Sequence, residues 1–100
     1  MVRHVVMFRW KPGTTPQQIA SLERALGEMP RICPTIRRYR FGRNLGLQEG
    51  GFDFAIVADF DDDAGFLSYA SHPAHQRFIA EHTRSLLAER AAVQFRIDVP

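Results

Sequence analysis

Pro73 constrains this chain more than any other residue. Its ring removes a backbone donor and disfavours helical geometry at the residue before it, so one helix must stop here and another can begin at the proline itself. The stretch around it, Tyr69-Ala70-Ser71-His72-Pro73-Ala74-His75-Gln76-Arg77-Phe78, holds two of the four histidines and one of the two tyrosines. Ser71 or His72 is expected outside the helix as a cap, with Tyr69 ending one short helix and His75 in the first turn of the next. Two helices can deliver a phenol and an imidazole to one corner, where neighbours on a single straight helix cannot converge.

The rest of the chain supplies a sheet and its cover. Val2 to Trp10 reads as a strand apolar on both sides, with His4, Val6, Phe8 and Trp10 on one face and Val5 and Met7 on the other between Arg3 and Arg9. After the Lys11 to Thr14 turn, Thr15-Pro16-Gln17-Gln18 is a capping-box helix start. Ile19, Leu22, Leu26 and Met29 then form one apolar stripe that Pro30 is expected to terminate. A second strand, about Thr35 to Gly42, mixes Ile36, Tyr39 and Phe41 with Arg37, Arg38 and Arg40, as suits a sheet edge. A glycine-punctuated loop leads to a third strand, in which Phe52, Phe54, Ile56, Ala58 and Phe60 alternate with Asp53, Ala55, Val57 and Asp59.

Asp61, Asp62 and Asp63 are candidate caps for the short helix through Tyr69. Beyond Pro73, His75, Phe78, Ile79, His82 and Leu86 share one face at about 100° per residue. Ala91 to Val99 is expected as the last strand, with Val93, Phe95, Ile97 and Val99 on one side. This order predicts an α+β fold, a ferredoxin-like βαββαβ antiparallel sheet with helices on one face. Residues 1–100 form a single domain, and a domain of 100 residues buries only about two-thirds of the surface of its unfolded chain. The uncovered sheet face is expected to expose apolar side chains such as Val5 and Met7 or their neighbours, and a patch of that kind usually marks an interface. A homodimer with its two sheets face to face and its helices outside is expected.

Composition narrows the setting. The formal net charge is only +2, and although 12 of the 13 basic residues are Arg, that balance names no polyanionic partner. Cys33 is the one cysteine and cannot form an internal disulfide, so a reducing, cytoplasmic setting is expected. Arg3, His4 and Arg9 interrupt the amino-terminal apolar residues, leaving nothing suited to a signal peptide, and no run is long enough to span a membrane. No phosphate loop or dinucleotide fingerprint is present, so no cofactor is expected. His72, His75 and His82 lack a carboxylate or cysteine at a familiar ligand spacing, so no metal site is expected either.

The element order, Arg3-His4-Val5-Val6-Met7-Phe8, Gly42-Arg43-Asn44, Phe52-Asp53-Phe54-Ala55 and above all Tyr69-x-x-His72-Pro73-x-His75 resemble the Dabb family, the stress-responsive dimeric α/β-barrel domains. The resemblance covers nearly the whole chain and implies a dimer of ferredoxin-like subunits, a dimeric α+β barrel. The polyketide cyclases of that family close a ring by aldol condensation with a histidine and a tyrosine in a pocket between helices and sheet. By position that histidine resembles His75 and that tyrosine Tyr69, with His4 resembling a further pocket histidine. The first helix here carries no aromatic residue, whereas those cyclases line the pocket from it with aromatics.

The candidate catalytic residues are therefore His75 as proton acceptor beside a carbonyl, Tyr69 as hydrogen-bond donor to the oxygen that gathers charge, and His4 to orient substrate or relay the proton. Val6, Phe8, Phe78, His82 and Leu86 are the candidate substrate-binding residues for a small hydrophobic or carbonyl-containing ligand. The alternative is a non-catalytic ligand-binding or structural dimer in which His75 packs in its helix and the Tyr69 hydroxyl meets a backbone carbonyl. A cofactor-independent monooxygenase is a further option on a similar barrel. Gly51-Phe52-Asp53-Phe54, with Arg37, Arg38, Arg40 and Arg43, partly mimics an RNA-recognition strand. Asp53 and Gly50 break that pattern, so no nucleic-acid partner is expected.

Overall fold

Residues 1–98 are described in a computed structural model, and the elements follow the periodicities of the sequence. They are β1 (Val2–Trp10), α1 (Pro16–Ile32), β2 (Ile36–Arg43), β3 (Phe54–Phe60), α2 (Asp63–Ser71), α3 (Pro73–Phe78) and β4 (Leu87–Arg96). Between α3 and β4 the chain runs through a π-helical segment, Ile79–Thr83, and a last α-turn, Arg84–Leu86. The strands form one antiparallel sheet in the order β2-β3-β1-β4, the ferredoxin-like arrangement, and the helices lie on one side of it.

Register decides which side chains meet those helices. Val2, His4, Val6 and Phe8 of β1 are buried, as are Phe54, Ile56, Ala58 and Phe60 of β3 and Tyr39 of β2. Arg3 and Asp59 face each other on the opposite side, where the guanidinium grips both carboxylate oxygens at 2.8 and 2.9 Å. The edge assignment of the arginine-rich β2 holds, and a register shift around Arg37 keeps Tyr39 turned to the helices. Phe54 also turns inward and is 2% exposed, so it cannot serve as a stacking platform for RNA. Arg37 and Arg43 are tied to Asp61 and Glu23.

Helix α1 begins as its sequence dictates. The Thr15 side chain accepts from the Gln18 backbone, and the Gln18 side chain accepts from the Thr15 backbone, a complete capping box. Its end differs from the expectation, because Pro30 lies inside the helix and the last turn runs on to Ile32. The proline forfeits one hydrogen bond near a terminus. Burial of Met29 and Cys33 on either side, with the Cys33 amide donating to the Met29 carbonyl at 2.8 Å, holds that turn in place.

Three other boundaries move. The third strand starts at Phe54 rather than Phe52, because Asp53 accepts from the Trp10 amide at 2.9 Å and bends the chain into the sheet. Helix α2 passes Tyr69 and ends at Ser71. The last strand starts at Leu87 instead of Ala91 and ends at Arg96, its first residues pairing with Trp10, Arg9 and Phe8. Val99 lies outside the described residues. No helix among the described residues is long and apolar enough to cross a membrane.

Leu26 sits at the centre of the helix–sheet contact and is 0% exposed. Leu26→Ala removes three heavy atoms and leaves a cavity, so it is expected to lower unfolding free energy by about 3 kcal/mol. Urea denaturation monitored by Trp10 fluorescence measures the shift, and a change below about 1 kcal/mol contradicts this packing.

Candidate functional site

The break at Pro73 forms as the sequence implies, with His72 as its pivot. His72 closes α2 and opens α3, its Nδ1 accepting from the Ala74 amide at 3.0 Å. Its role is a cap. Tyr69 projects from the last turns of α2 and His75 from the first turn of α3, and their rings approach to 4.4 Å between centroids. His4 comes up from β1, 6.4 Å from Tyr69 by ring centroid, with Phe66 packed on its other side at 4.9 Å.

These three residues line one cavity of about 270 Å³ between helices and sheet. Val6, Phe8 and Ile56 form its floor, and Phe78, Ile79 and Thr83 form its roof. Arg90, from β4, completes the lining opposite Phe8. Of the residues expected to bind substrate, Val6, Phe8 and Phe78 are present, while His82 and Leu86 are not. The cause is the π-helical segment: its wider turn rotates the following residues, so Thr83 takes the place that a straight α-helix gives His82. His82 packs against Phe78 in a tilted arrangement with ring centroids 5.5 Å apart, and Leu86 packs into the core.

Hydrogen bonds fix how each polar ring is presented. The His75 Nδ1–H donates to the Ala70 carbonyl at 3.0 Å, which leaves Nε2 as the basic nitrogen. The Gln94 amide donates to His4 Nδ1 at 2.8 Å, so the His4 proton resides on Nε2. One imidazole is thus an acceptor and the other a donor. The Tyr69 hydroxyl lies 2.9 Å from that of Tyr39, and Tyr39 is not among the residues that line the cavity. Among the described residues no group of three or more His, Cys, Asp or Glu side chains is placed to hold a metal ion.

Burial sets the protonation states. Desolvation, with the charge of Arg90 and the neighbouring His75, pushes His4 down to about 4. His75 is also lowered, by burial first, with Arg90 and His72 adding to the effect against the Ala70 hydrogen bond. Both rings are neutral at pH 7. Desolvation raises Tyr69 to about 12 and Tyr39 further, so both hydroxyls keep their protons at pH 7 and share one hydrogen bond in which either can donate.

Arg90, Thr83 and Ile56 were not among the residues expected here. Arg90 was hidden because the last strand was expected to start one residue after it. A strand from Leu87 puts Arg90, Ala92 and Gln94 opposite Phe8, Val6 and His4, on the helix side.

The depressed His4 makes stability pH-dependent. The unfolded chain protonates this ring near pH 6.5 and the folded chain only near 4, so between these values the unfolded state binds more protons and stability rises with pH. Acidification from pH 7 to 4 is expected to remove up to about 3 kcal/mol through this ring, and His4→Gln should flatten that part of the profile. Urea midpoints at half-unit pH steps provide the check, and identical slopes in both proteins contradict a neutral, buried His4.

The comparisons with known proteins agree with this architecture. A dimeric ferredoxin-like protein from Thermobifida fusca is 42% identical, with a TM-score of 0.89 over 96% of this chain and 90% of that one. The hydroxynitrile lyase of Passiflora edulis is 25% identical, with a TM-score of 0.85 over 97% and 93% of the two chains. An uncharacterized protein of Streptomyces coelicolor is 33% identical over 85 residues, 80% of this chain and 84% of the relative. The model of the stress responsive A/B barrel domain matches residues 2–97, and the chain belongs to that family.

Proposed function

We propose that this protein is a cofactor-independent acid–base enzyme for a small carbonyl compound, acting as a lyase or as an aldol-type cyclase. The observation that carries this reading is the convergence of a proton acceptor, His75 Nε2, with two donors, His4 Nε2–H and the Tyr69 hydroxyl, on one cavity. In the bond-forming direction His75 takes a proton from the carbon beside a carbonyl. Tyr69 and His4 donate to the oxygen that gathers the enolate charge, the enolate carbon attacks a second carbonyl, and the resulting alkoxide takes the proton back from His75. In the bond-breaking direction His75 takes a hydroxyl proton, the carbonyl forms as the carbon–carbon bond cleaves, and the departing carbanion receives the proton.

The protonation states suit this work. His75, lowered by burial, is unprotonated at pH 7, and Tyr69, raised to about 12, keeps its proton. Tyr39 supports Tyr69 from behind as its oxygen gains charge. The likeness to a hydroxynitrile lyase supports the bond-breaking variant, since a hydroxynitrile carries the hydroxyl and carbon leaving group that this arrangement addresses.

His75→Ala and Tyr69→Phe are each expected to cut turnover about a hundredfold or more. The measurement is deuterium uptake beside the carbonyl in a panel of small ketones, with aldehyde release from aromatic hydroxynitriles followed by absorbance. Turnover unchanged in both variants, or no turnover by the unaltered protein on either panel, favours the non-catalytic ligand-binding dimer.

The protein is further proposed to act as a homodimer. The sheet face away from the helices presents Val5, Met7, Ala55, Val57, Val93 and Phe95, of which Val93 and Phe95 are 54% and 46% exposed. The relative from Thermobifida fusca is dimeric. Light scattering is expected to give twice the 11.4 kDa chain mass, and Val93→Glu to shift it toward the monomer. A monomer in the unaltered protein overturns this assembly.

A further inference from the structure

We infer that the substrate carries a carboxylate next to its reacting carbonyl or hydroxyl group, and that Arg90 anchors this anion. The inference rests on the acid–base reading above for the reaction, but its binding claim stands apart from turnover.

The cavity is electrostatically one-sided. Val6, Phe8, Ile56 and Phe78 give it apolar walls, no acidic side chain lines it among the described residues, and the two imidazoles and the phenol are neutral near pH 7. Among the described residues Arg90 is therefore the one formal charge on its surface. Arg3, Arg9, Arg37, Arg43 and Arg96 each hold a carboxylate. Among the described residues Arg90 has neither an ion pair nor a side-chain hydrogen bond. A cation beside apolar walls with no counter-ion concentrates anions, and the planar guanidinium matches a carboxylate with two parallel hydrogen bonds.

Placement gives the anion a defined position. Arg90 faces Phe8, four residues along β1 from His4, so its backbone stands about 13 Å from that of His4. Its side chain lines the same cavity as the rings, and its charge lowers the proton affinity of both His4 and His75. A carboxylate held at the guanidinium leaves the rest of the ligand to extend toward Tyr69, His75 and His4, which line the same cavity. Compounds of the 2-oxo acid or 2-hydroxy acid class carry the anion beside the reacting oxygen, and their small members suit a cavity of about 270 Å³.

Benzoylformate and its methyl ester test the inference, because they share one carbon skeleton and differ in charge. Neither has a hydrogen on carbon beside the ketone, so binding is read without turnover. Titration followed by amide chemical shifts or calorimetry is expected to show the acid binding at least tenfold more tightly than the ester. Arg90→Leu should erase that preference, with far-UV circular dichroism reporting that the variant is folded, and Arg90→Lys should restore part of it. Equal binding of acid and ester, no binding of the acid at millimolar concentration, or a preference that survives Arg90→Leu overturns the inference. If the preference depends on Arg90 while His75→Ala turns over the panels above as the unaltered protein does, the acid–base reading has failed and this one stands.

Discussion

An apolar interior that admits two imidazoles and two phenols must give each buried polar atom a partner, and that requirement organises this structure. An unsatisfied buried donor or acceptor costs about 1–3 kcal/mol, a large part of the stability of a domain this small. Among the described residues no buried side-chain nitrogen or oxygen lacks a hydrogen bond. Each ring spends one polar atom on this. His4 uses Nδ1 for Gln94, His75 uses Nδ1 for Ala70, and the two tyrosine hydroxyls use each other. The second nitrogen of each imidazole remains accessible from the cavity. Structural satisfaction and chemical readiness are thus two ends of the same side chains.

The same logic separates the two faces of the sheet. On the helix side, polar groups are few, partnered and buried. On the other side Arg3 and Asp59 form a bidentate pair across neighbouring strands beside apolar residues that no element among the described residues covers. Asp59 is 2% exposed and its carboxyl is held below the usual range by Arg3, so this pair is neutralised in place before any second surface arrives. A face of that kind can be covered by a like face with little further desolvation of charge.

Much of the fold was legible in the sequence, since period-two and period-three-to-four patterns report burial and burial is what the elements share. The β1 faces, the Thr15 capping box, the β2 edge and the break at Pro73 all follow from local residue types. Signals failed where local and tertiary preferences diverge. Pro30 reads as a stop, yet Met29 and Cys33 are both needed in the core, and their burial outweighs one missing hydrogen bond. Leu87 to Arg90 shows no alternation of apolar residues, because a register shift opposite Arg9 and Trp10 breaks the period there and these residues are mostly exposed. The convergence of His4, Tyr69 and His75 on one cavity could be read from element order, but Arg90 could not be placed without the strand start.

The π-helical segment shows how a small backbone change sets the character of the cavity. An α-helix continued from His75 would carry His82 over the cavity, adding a third imidazole to a space that already holds two. The extra residue in the wider turn brings Thr83 there instead, and its hydroxyl is occupied by the Ile79 carbonyl at 3.0 Å. The roof is thereby made nearly inert. Among the described residues the lining holds no third titratable ring of this kind and no acidic side chain, so His75 shares the cavity with His4, Tyr69 and the charge of Arg90. On the proposed reading, a base among donors and one cation favours steps that build negative charge on oxygen, and the wider turn keeps a further imidazole away from it.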